Sequence, residues 1–404
     1  MKTVAVIGKN FGDEGKGLAC ASLSKNVQKT LIIKHNGGGQ AGHTVEDKSG
    51  NRFVHHQIGS GAQYGAATLL ADTFYADLYQ LREEINNFRN IYGFSPLIFA
   101  DKNAYITVID DVLRNMFIES SRGDSRHGSC GMGIDECQKR NESGYGITLQ
   151  EVSDMSETEL LDRLRKIRSD YGSKDLEKIK DDFEQNNPGE ETEYYEMLKD
   201  DDILASFASY LKIGMENVIL VEPTAEWLHG FEQMVFETGQ GLLLDQDYEL
   251  YAPHLTSSKT GLHNIAQFLE KKRMPLDEVI YVSRTYVTRH GNGPLPCEIR
   301  KEELPGICED MTNVDNEWQG SIRYARHESI KAFVNPMLED MRSVKDCSCM
   351  KDTTASVLLT HLNETDRKVC FEIGDIPVEE LMDIIGKKEI ARIYTSYDRY
   401  ETDI

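Results

Sequence analysis

Basic side chains are scarce in this 404-residue chain: 45 Lys and Arg face 68 Asp and Glu, and the net charge of −23 argues against the basic stripe that direct nucleic-acid binding needs. No apolar run is long enough for a membrane helix, and the first residues lack the basic-then-apolar order of a leader, so a cytoplasmic setting without membrane contact is expected. Cys-x-x-Cys pairs are missing, which disfavours a zinc ribbon; the eight cysteines read as free thiols in a reducing compartment, the close Cys347 and Cys349 included. Internal repeats and low-complexity tracts are lacking too.

What is present is an alternation. Apolar runs of strand length fall at 3–7, 30–34, 68–71, 97–100, 218–221, 234–237, 279–282, 356–360 and 392–395, mostly separated by helical patterns such as 76–88 and 261–272. This predicts an α/β fold with a largely parallel central sheet covered by helices, read as one domain over 1–404, with ligands beyond the carboxyl ends of the strands. Between 153 and 212 the chain is acidic, with Leu160, Leu161, Leu164 and Ile167 at helical spacing and a break at Asn186-Asn-Pro-Gly189. A helical cap or dimer-flanking insertion is expected there.

The first run ends in a glycine-rich loop, Gly12-Asp13-Glu14-Gly15-Lys16-Gly17. Glycines let backbone N–H groups approach phosphate oxygens, a helix starting near Gly17 aims its positive end at the same anion, and Lys16 adds a point charge. Six residues separate Gly8 from Gly15 and a glycine follows Lys16, so this is not the ordinary P-loop with its Mg²⁺-binding hydroxyl. Asp13 is the nearest carboxylate for a metal. The plainer alternative is a tight turn with a solvated acidic pair. A second such loop, His35-Asn-Gly-Gly-Gly-Gln40-Ala-Gly42-His43-Thr44-Val45, follows the second run. His43 could donate where Asp13 accepts, the separation of acid and base that one active site often needs.

These two loops resemble the hallmark loops of the adenylosuccinate synthetases. Three later segments agree in order and approximate spacing: Phe236-Glu-Thr-Gly-Gln240-Gly-Leu-Leu-Leu-Asp245, Leu255-Thr256-Ser-Ser258 and Thr288-Arg-His-Gly-Asn-Gly-Pro-Leu-Pro296. The resemblance implies a two-step ligase. A base, Asp13, takes the N1 proton of a 6-oxopurine nucleoside monophosphate so that O6 attacks the γ-phosphate of a nucleoside triphosphate, with His43 as the acid; L-aspartate then displaces the 6-phosphoryl group. Lys16 and Gln240 complete the implied catalytic set. The triphosphate would lie on Gly12, Glu14, Gly15, Lys16, Gly17, Gly42, His43 and Thr44, with its base near His361, Asn363, Thr395 and Ser396. The monophosphate would meet Asp13, Gln40, Ser129, Cys130, Gln240 and Thr256, and the amino acid Thr312, Gln319 and Arg323. Mg²⁺ on Asp13 and Gly42, and a homodimer, are likewise implied.

Departures from the family pattern are concentrated elsewhere. Thr360-His-Leu-Asn363 stands where the family has Thr-Lys-Leu-Asp, whose Asp selects guanine; Asn offers a donor as well as an acceptor, which opens the site to adenine. Tyr394-Thr395-Ser396-Tyr397 replaces the Ser-Thr-Gly-Pro before the final Asp-Arg. The arginine-rich aspartate loop aligns with 312–320, which holds no arginine; Arg323 and Arg326 could reach back to a dicarboxylate, or form a solvated helix face. Ser129-Cys130-Gly131-Met132-Gly133 replaces Thr-Thr-Gly-Arg-Gly, and the phosphate-binding Arg that crosses the family's dimer falls near Gly144. This set resembles the divergent branch of phages with aminoadenine genomes, which joins aspartate to dGMP with an adenine nucleotide as donor, giving an N6-succino precursor of 2-aminoadenine. An ordinary synthetase acting on IMP with GTP is the first alternative, and a non-catalytic nucleotide-binding regulator the second.

Overall fold

The nine apolar runs all become strands of one sheet in the computed structural model, which describes residues 1–123, 126–129, 131–304, 306–308, 320–386, 390–400 and 402–404. In spatial order the strands are Arg392–Thr395, Thr354–Thr360, Glu278–Arg284, Lys2–Gly8, Gln233–Gly241, Thr30–Lys34, Ala67–Leu70, Ile98–Asp101 and Ile219–Val221. Every pairing is parallel, so the expected α/β architecture is the one observed. A parallel sheet is covered on both faces, which is why its strands read as unbroken apolar runs. Val4, Ala5, Val6 and Ile7 in the central strand are fully buried.

One face packs Phe236, Tyr281, Leu269 and Met337 into the largest apolar cluster, under the helices His263–Lys272 and Ile330–Ser343. On the other face Val4, Val6, Val235 and Ile280 meet Ala19, Cys20 and Leu23 of the helix Lys16–Ser24. The helix expected over 76–88 runs from Leu78 to Tyr92. Asp77 caps its start, accepting from the Gln80 N–H at 2.9 Å, and Gly93 ends it in the left-handed region with φ 77°. Between 149 and 215 the helices Leu149–Asp154, Glu157–Ile167, Leu176–Asn186, Tyr194–Met197 and Asp201–Met215 follow one another. Leu160, Leu164 and Ile167 share an apolar cluster with Leu81, Ile85 and Phe88, which ties this segment to the sheet's flank.

Two small antiparallel sheets flank the cleft beyond the strand ends. One pairs His43–Glu46 with Arg52–His55, placing His43 opposite His55. The other joins Val287–His290, Ile322–Ala325 and Glu298–Ile299, so Arg323 lies on a strand opposite Arg289 and not on a helix face. No described helix is long and apolar enough to cross a membrane.

Candidate functional site

Site residues follow strand ends because a parallel sheet delivers successive loops to one edge. The Gly8, Lys34, Gly241, Arg284 and Thr360 ends open onto one cleft of about 1020 Å³. Its walls include Gly12, Asp13, Glu14, Gly15, Lys16 and Gly17 from the first loop and Gln40, Gly42, His43 and Thr44 from the second. Ser129, Gln240, Thr256, His361 and Asn363 also line it. The structure thus brings together fifteen of the residues singled out in the sequence. Thr395, Ser396 and Arg323 are not among the lining residues, and Cys130, Thr312 and Gln319 lie outside the described residues.

The first loop is shaped from within by Glu14. Its Oε1 accepts from the Asn10 and Gly12 N–H groups at 2.9 Å each, and its Oε2 accepts from Lys16 Nζ at 3.1 Å. The Thr360 hydroxyl donates to the Glu14 carbonyl at 2.8 Å, and Arg284 Nε donates to the Asp13 carbonyl. Gly15 has φ 100°, and a Cβ on Gly17 would stand 3.0 Å from His43 Cβ, so glycine there lets the helix start abut the second loop. Asp13 is half-buried, and none of the described residues donates a hydrogen bond to its carboxylate. That leaves it available to a ligand.

His43 is 7% exposed. Its Nδ1 lies 2.5 Å from Glu237 Oε1 and its Nε2 lies 3.1 Å from the Gly239 carbonyl. Glu237 is held in turn by the Ser60 N–H at 3.0 Å, the Ser60 hydroxyl, and Lys34 Nζ at 3.5 Å. Burial alone would raise the Glu237 carboxyl, but Lys34 and His43 outweigh it and hold it well below the usual carboxylate range. Burial pushes His55, across the hairpin, down to about 3, so that ring stays neutral. Further along, Asn36 Nδ2 donates to Gln240 Oε1 at 3.4 Å and to Ser258 Oγ at 3.3 Å, fixing the Gln240 side chain.

At the Ser129 side of the cleft Ser129 Oγ donates to Asn115 Oδ1 at 2.8 Å and accepts from the Gly131 N–H at 3.2 Å. Glu119 takes the Gly128 N–H at 2.8 Å and pairs with Arg122. Arg323 is occupied by Glu298 at 3.1 Å and the Gly293 carbonyl at 2.6 Å. Arg289, on the neighbouring strand, does line the cleft, as do Arg52, Arg122, Arg284 and Arg399; it donates to the Pro294 and His254 carbonyls at 2.7 and 2.9 Å and lies over the Phe11 ring. Burial, then the facing Arg323, pushes it down to about 10.

At the Asn363 side of the cleft Ser396 is fully buried, its carbonyl accepting from the Leu362 N–H at 3.3 Å, so it braces the wall that carries Asn363. Asp398 and Arg399 face the cleft, Arg399 reaching Glu46 at 3.4 Å. Sequence reading missed Glu237, Lys34, Arg284 and Arg289 as site residues. A polar side chain ending or interrupting an apolar strand is the signal that could have found them, since a buried charge needs a reason.

Comparison with known proteins places the chain in a family. The family model described as adenylosuccinate synthetase matches residues 5–327, and the chain belongs to that family. It is 30% identical over 316 residues to the adenylosuccinate synthetase of Lactobacillus gasseri, covering 75% of this chain and 66% of that protein. With that of Petrotoga mobilis it shares 31% identity over 317 residues, covering 76% and 69%. The chain therefore spans about two thirds of the length of these relatives. Among solved structures, the fully ligated adenylosuccinate synthetase of Plasmodium falciparum superposes with a TM-score of 0.65 at 20% identity, covering 91% of this chain and 79% of that one. The succinoaminodeoxyadenylate synthetase of cyanophage S-2L, bound to dGMP and to dATP as an energy donor, gives a TM-score of 0.58 at 15% identity, covering 99% and 93%.

Proposed function

We propose that this protein is a C–N ligase that joins L-aspartate to C6 of a 6-oxopurine nucleoside monophosphate, dGMP by preference, with ATP or dATP as phosphoryl donor. The observation that carries the reaction class is the meeting of Asp13, a carboxylate without donors among the described residues, and a buried imidazole, His43, on two glycine loops at one cleft. In this reading Asp13 takes the N1 proton as O6 attacks the γ-phosphorus and the bond to the β-bridging oxygen breaks. His43 supplies a proton to the phosphoryl oxygens, while Lys16 and the loop N–H groups meet the charge that develops there. The aspartate amine then attacks C6, inorganic phosphate leaves, and Gln240 holds the purine near its reacting carbon. Mg²⁺ fits the donor set: Asp13 and the Gly42 carbonyl are hard oxygen ligands, and no cluster of three or more His, Cys, Asp or Glu among the described residues could hold a metal without phosphate oxygens. Bound there it would supply charge for the phosphoryl group.

The substrate preference rests on different support. Asn363, not Asp, faces the triphosphate-base end, and it can serve adenine with one donor and one acceptor. The cyanophage enzyme, whose structure holds dGMP and dATP, superposes over 99% of this chain and 93% of its own, against 91% and 79% for the Plasmodium enzyme. The higher TM-score of the Plasmodium enzyme favours a second reading, an ordinary IMP- and GTP-dependent synthetase. Both readings take the working form to be a cytoplasmic homodimer. Assaying dGMP, GMP and IMP with aspartate against ATP, dATP and GTP separates the two. Phosphate release with dGMP and an adenine donor supports the first, and turnover confined to IMP with GTP supports the second.

A further inference from the structure

The groups beneath His43 are more elaborate than packing requires. Glu237 sits in the middle of the sheet at 1% exposure, between Phe236 and Thr238, in a strand otherwise packed as core. An apolar side chain would fill that place at no electrostatic cost, whereas a carboxylate at this depth loses its hydration and regains it only through well-placed donors. The donors are present on both oxygens. Oε1 takes His43 Nδ1 at 2.5 Å and the Ser60 hydroxyl, while Oε2 takes the Ser60 N–H at 3.0 Å and faces Lys34 Nζ at 3.5 Å. Lys34 is 2% exposed and its ammonium has no hydrogen-bond partner among the described residues, so its role there is that of a counter-charge to Glu237.

We propose that Glu237, clamped by Ser60 and Lys34, is a positioning residue for His43: it fixes the rotation of the ring and commits Nδ1, so that Nε2 is the nitrogen presented to the cleft. This rests on the reading of His43 as the proton donor of the phosphoryl transfer. Glu237 offers only acceptor oxygens, so Nδ1 carries the proton of that bond, while Nε2, 3.1 Å from the carbonyl of Gly239, a cleft-lining residue next to Gln240, is the nitrogen on the cleft side and when protonated has that carbonyl as its resting acceptor. A histidine oriented by a buried carboxylate on one nitrogen, and acting through the other, is a general device of acid–base sites.

Two variants and one spectrum test it on the full-length protein. Glu237→Ala removes both the acceptor and the charge, and it should lower kcat by on the order of 10²-fold with KM for either nucleotide changed only a few-fold. Glu237→Gln, which keeps an acceptor oxygen, should recover part of that loss. The ¹⁵N signals of the His43 ring, assigned by their disappearance in His43→Asn, should show a proton fixed on Nδ1 in the wild type and a mixture of tautomers in Glu237→Ala. A Glu237→Ala protein with wild-type kcat, or a wild-type ring with no proton on Nδ1, overturns the proposal. Should Glu237→Ala fail to fold, the wild-type ring signal still decides. Should the wild type show no ligase turnover with any nucleotide pair, the reaction reading fails by itself, while the ring signal continues to test the positioning.

Discussion

The two ends of the cleft are built differently. At the phosphate end the loops after Lys2–Gly8 and Thr30–Lys34 are locked to the sheet through buried groups: Glu14 to its own loop, Thr360 to Glu14, Glu237 to His43. All but Thr360 lie within the stretch matched by the family model. At the end that the proposed reading gives to the triphosphate base, the wall begins with the strand Thr354–Thr360, beyond the matched residues, and Thr360, His361, Asn363, Glu364, Asp398 and Arg399 line the cleft there. On the proposed function, the difference teaches that phosphoryl transfer and base choice are separable here. Moving a phosphoryl group to a purine oxygen makes the same demands whatever the base, whereas choosing the base needs only a few donors and acceptors on a wall that can be replaced.

The phosphate end should break hardest. Asp13→Ala is expected to lower turnover by on the order of 10²- to 10⁴-fold while leaving the melting midpoint nearly unchanged, because a half-buried loop carboxylate that receives no hydrogen bond from the described residues contributes chemistry and little packing. Near-normal steady-state turnover in a clean preparation would remove Asp13 from the mechanism. His43→Ala should follow, acting on kcat by on the order of 10²-fold; an effect confined to binding would leave it a structural role only.

At the base end smaller, directional effects are expected. Asn363→Asp should move the ratio of kcat/KM for GTP over ATP upward by about thirtyfold, on the order of 2 kcal/mol, since a carboxylate accepts from guanine N1–H and N2–H and has nothing to donate to adenine. A wild type already selective for GTP contradicts the account of this wall.

The smallest effect on activity, and a readable one on stability, should come from Lys9, which sits behind the phosphate loop and outside the cleft. Its ammonium donates to Asn10 Oδ1 at 2.7 Å and lies over the Phe333 ring, and burial pushes it down to about 7 against the partial support of Glu14. In the unfolded chain it titrates near 10.5, so between about 7 and 10.5 the unfolded state binds more protons and stability rises with pH. The penalty of charging a buried lysine is fully present below pH 7. Lys9→Met should therefore raise the melting midpoint by a few degrees at pH 7 and below, with the gain shrinking towards pH 10.5. A gain independent of pH would assign the effect to packing.

How far the sequence carries follows from the same contrast. The sheet was legible strand by strand because burial on both faces demands unbroken apolar runs, whereas the hairpin strands His43–Glu46 and Arg52–His55, four residues each, mixed polar and apolar and alternating buried with partly buried positions, give no such run. The phosphate loops were legible because backbone approach to an anion calls for glycine at particular places, as at Gly15 and Gly17. Glu237 was not, because its partner His43 is 194 residues away and only the parallel register of Thr30–Lys34 with Gln233–Gly241 brings their loops together. Thr395 and Ser396 illustrate the opposite limit: neither lines the cleft, and in that segment the lining residues are Asp398 and Arg399. The aspartate-binding expectations at Thr312 and Gln319 fall outside the described residues.

The central claim is that an intact phosphoryl-transfer end now serves a different pair of purines, and one competition experiment tests it. The protein is incubated with aspartate, Mg²⁺, equal dGMP and IMP, and equal ATP and GTP, and the products are weighed by mass spectrometry. The account predicts a succino adduct of dGMP as the main product, with ADP accumulating in preference to GDP. A succino adduct formed from IMP and never from dGMP, with GDP as the spent donor, would contradict it and return this chain to the ordinary synthetases.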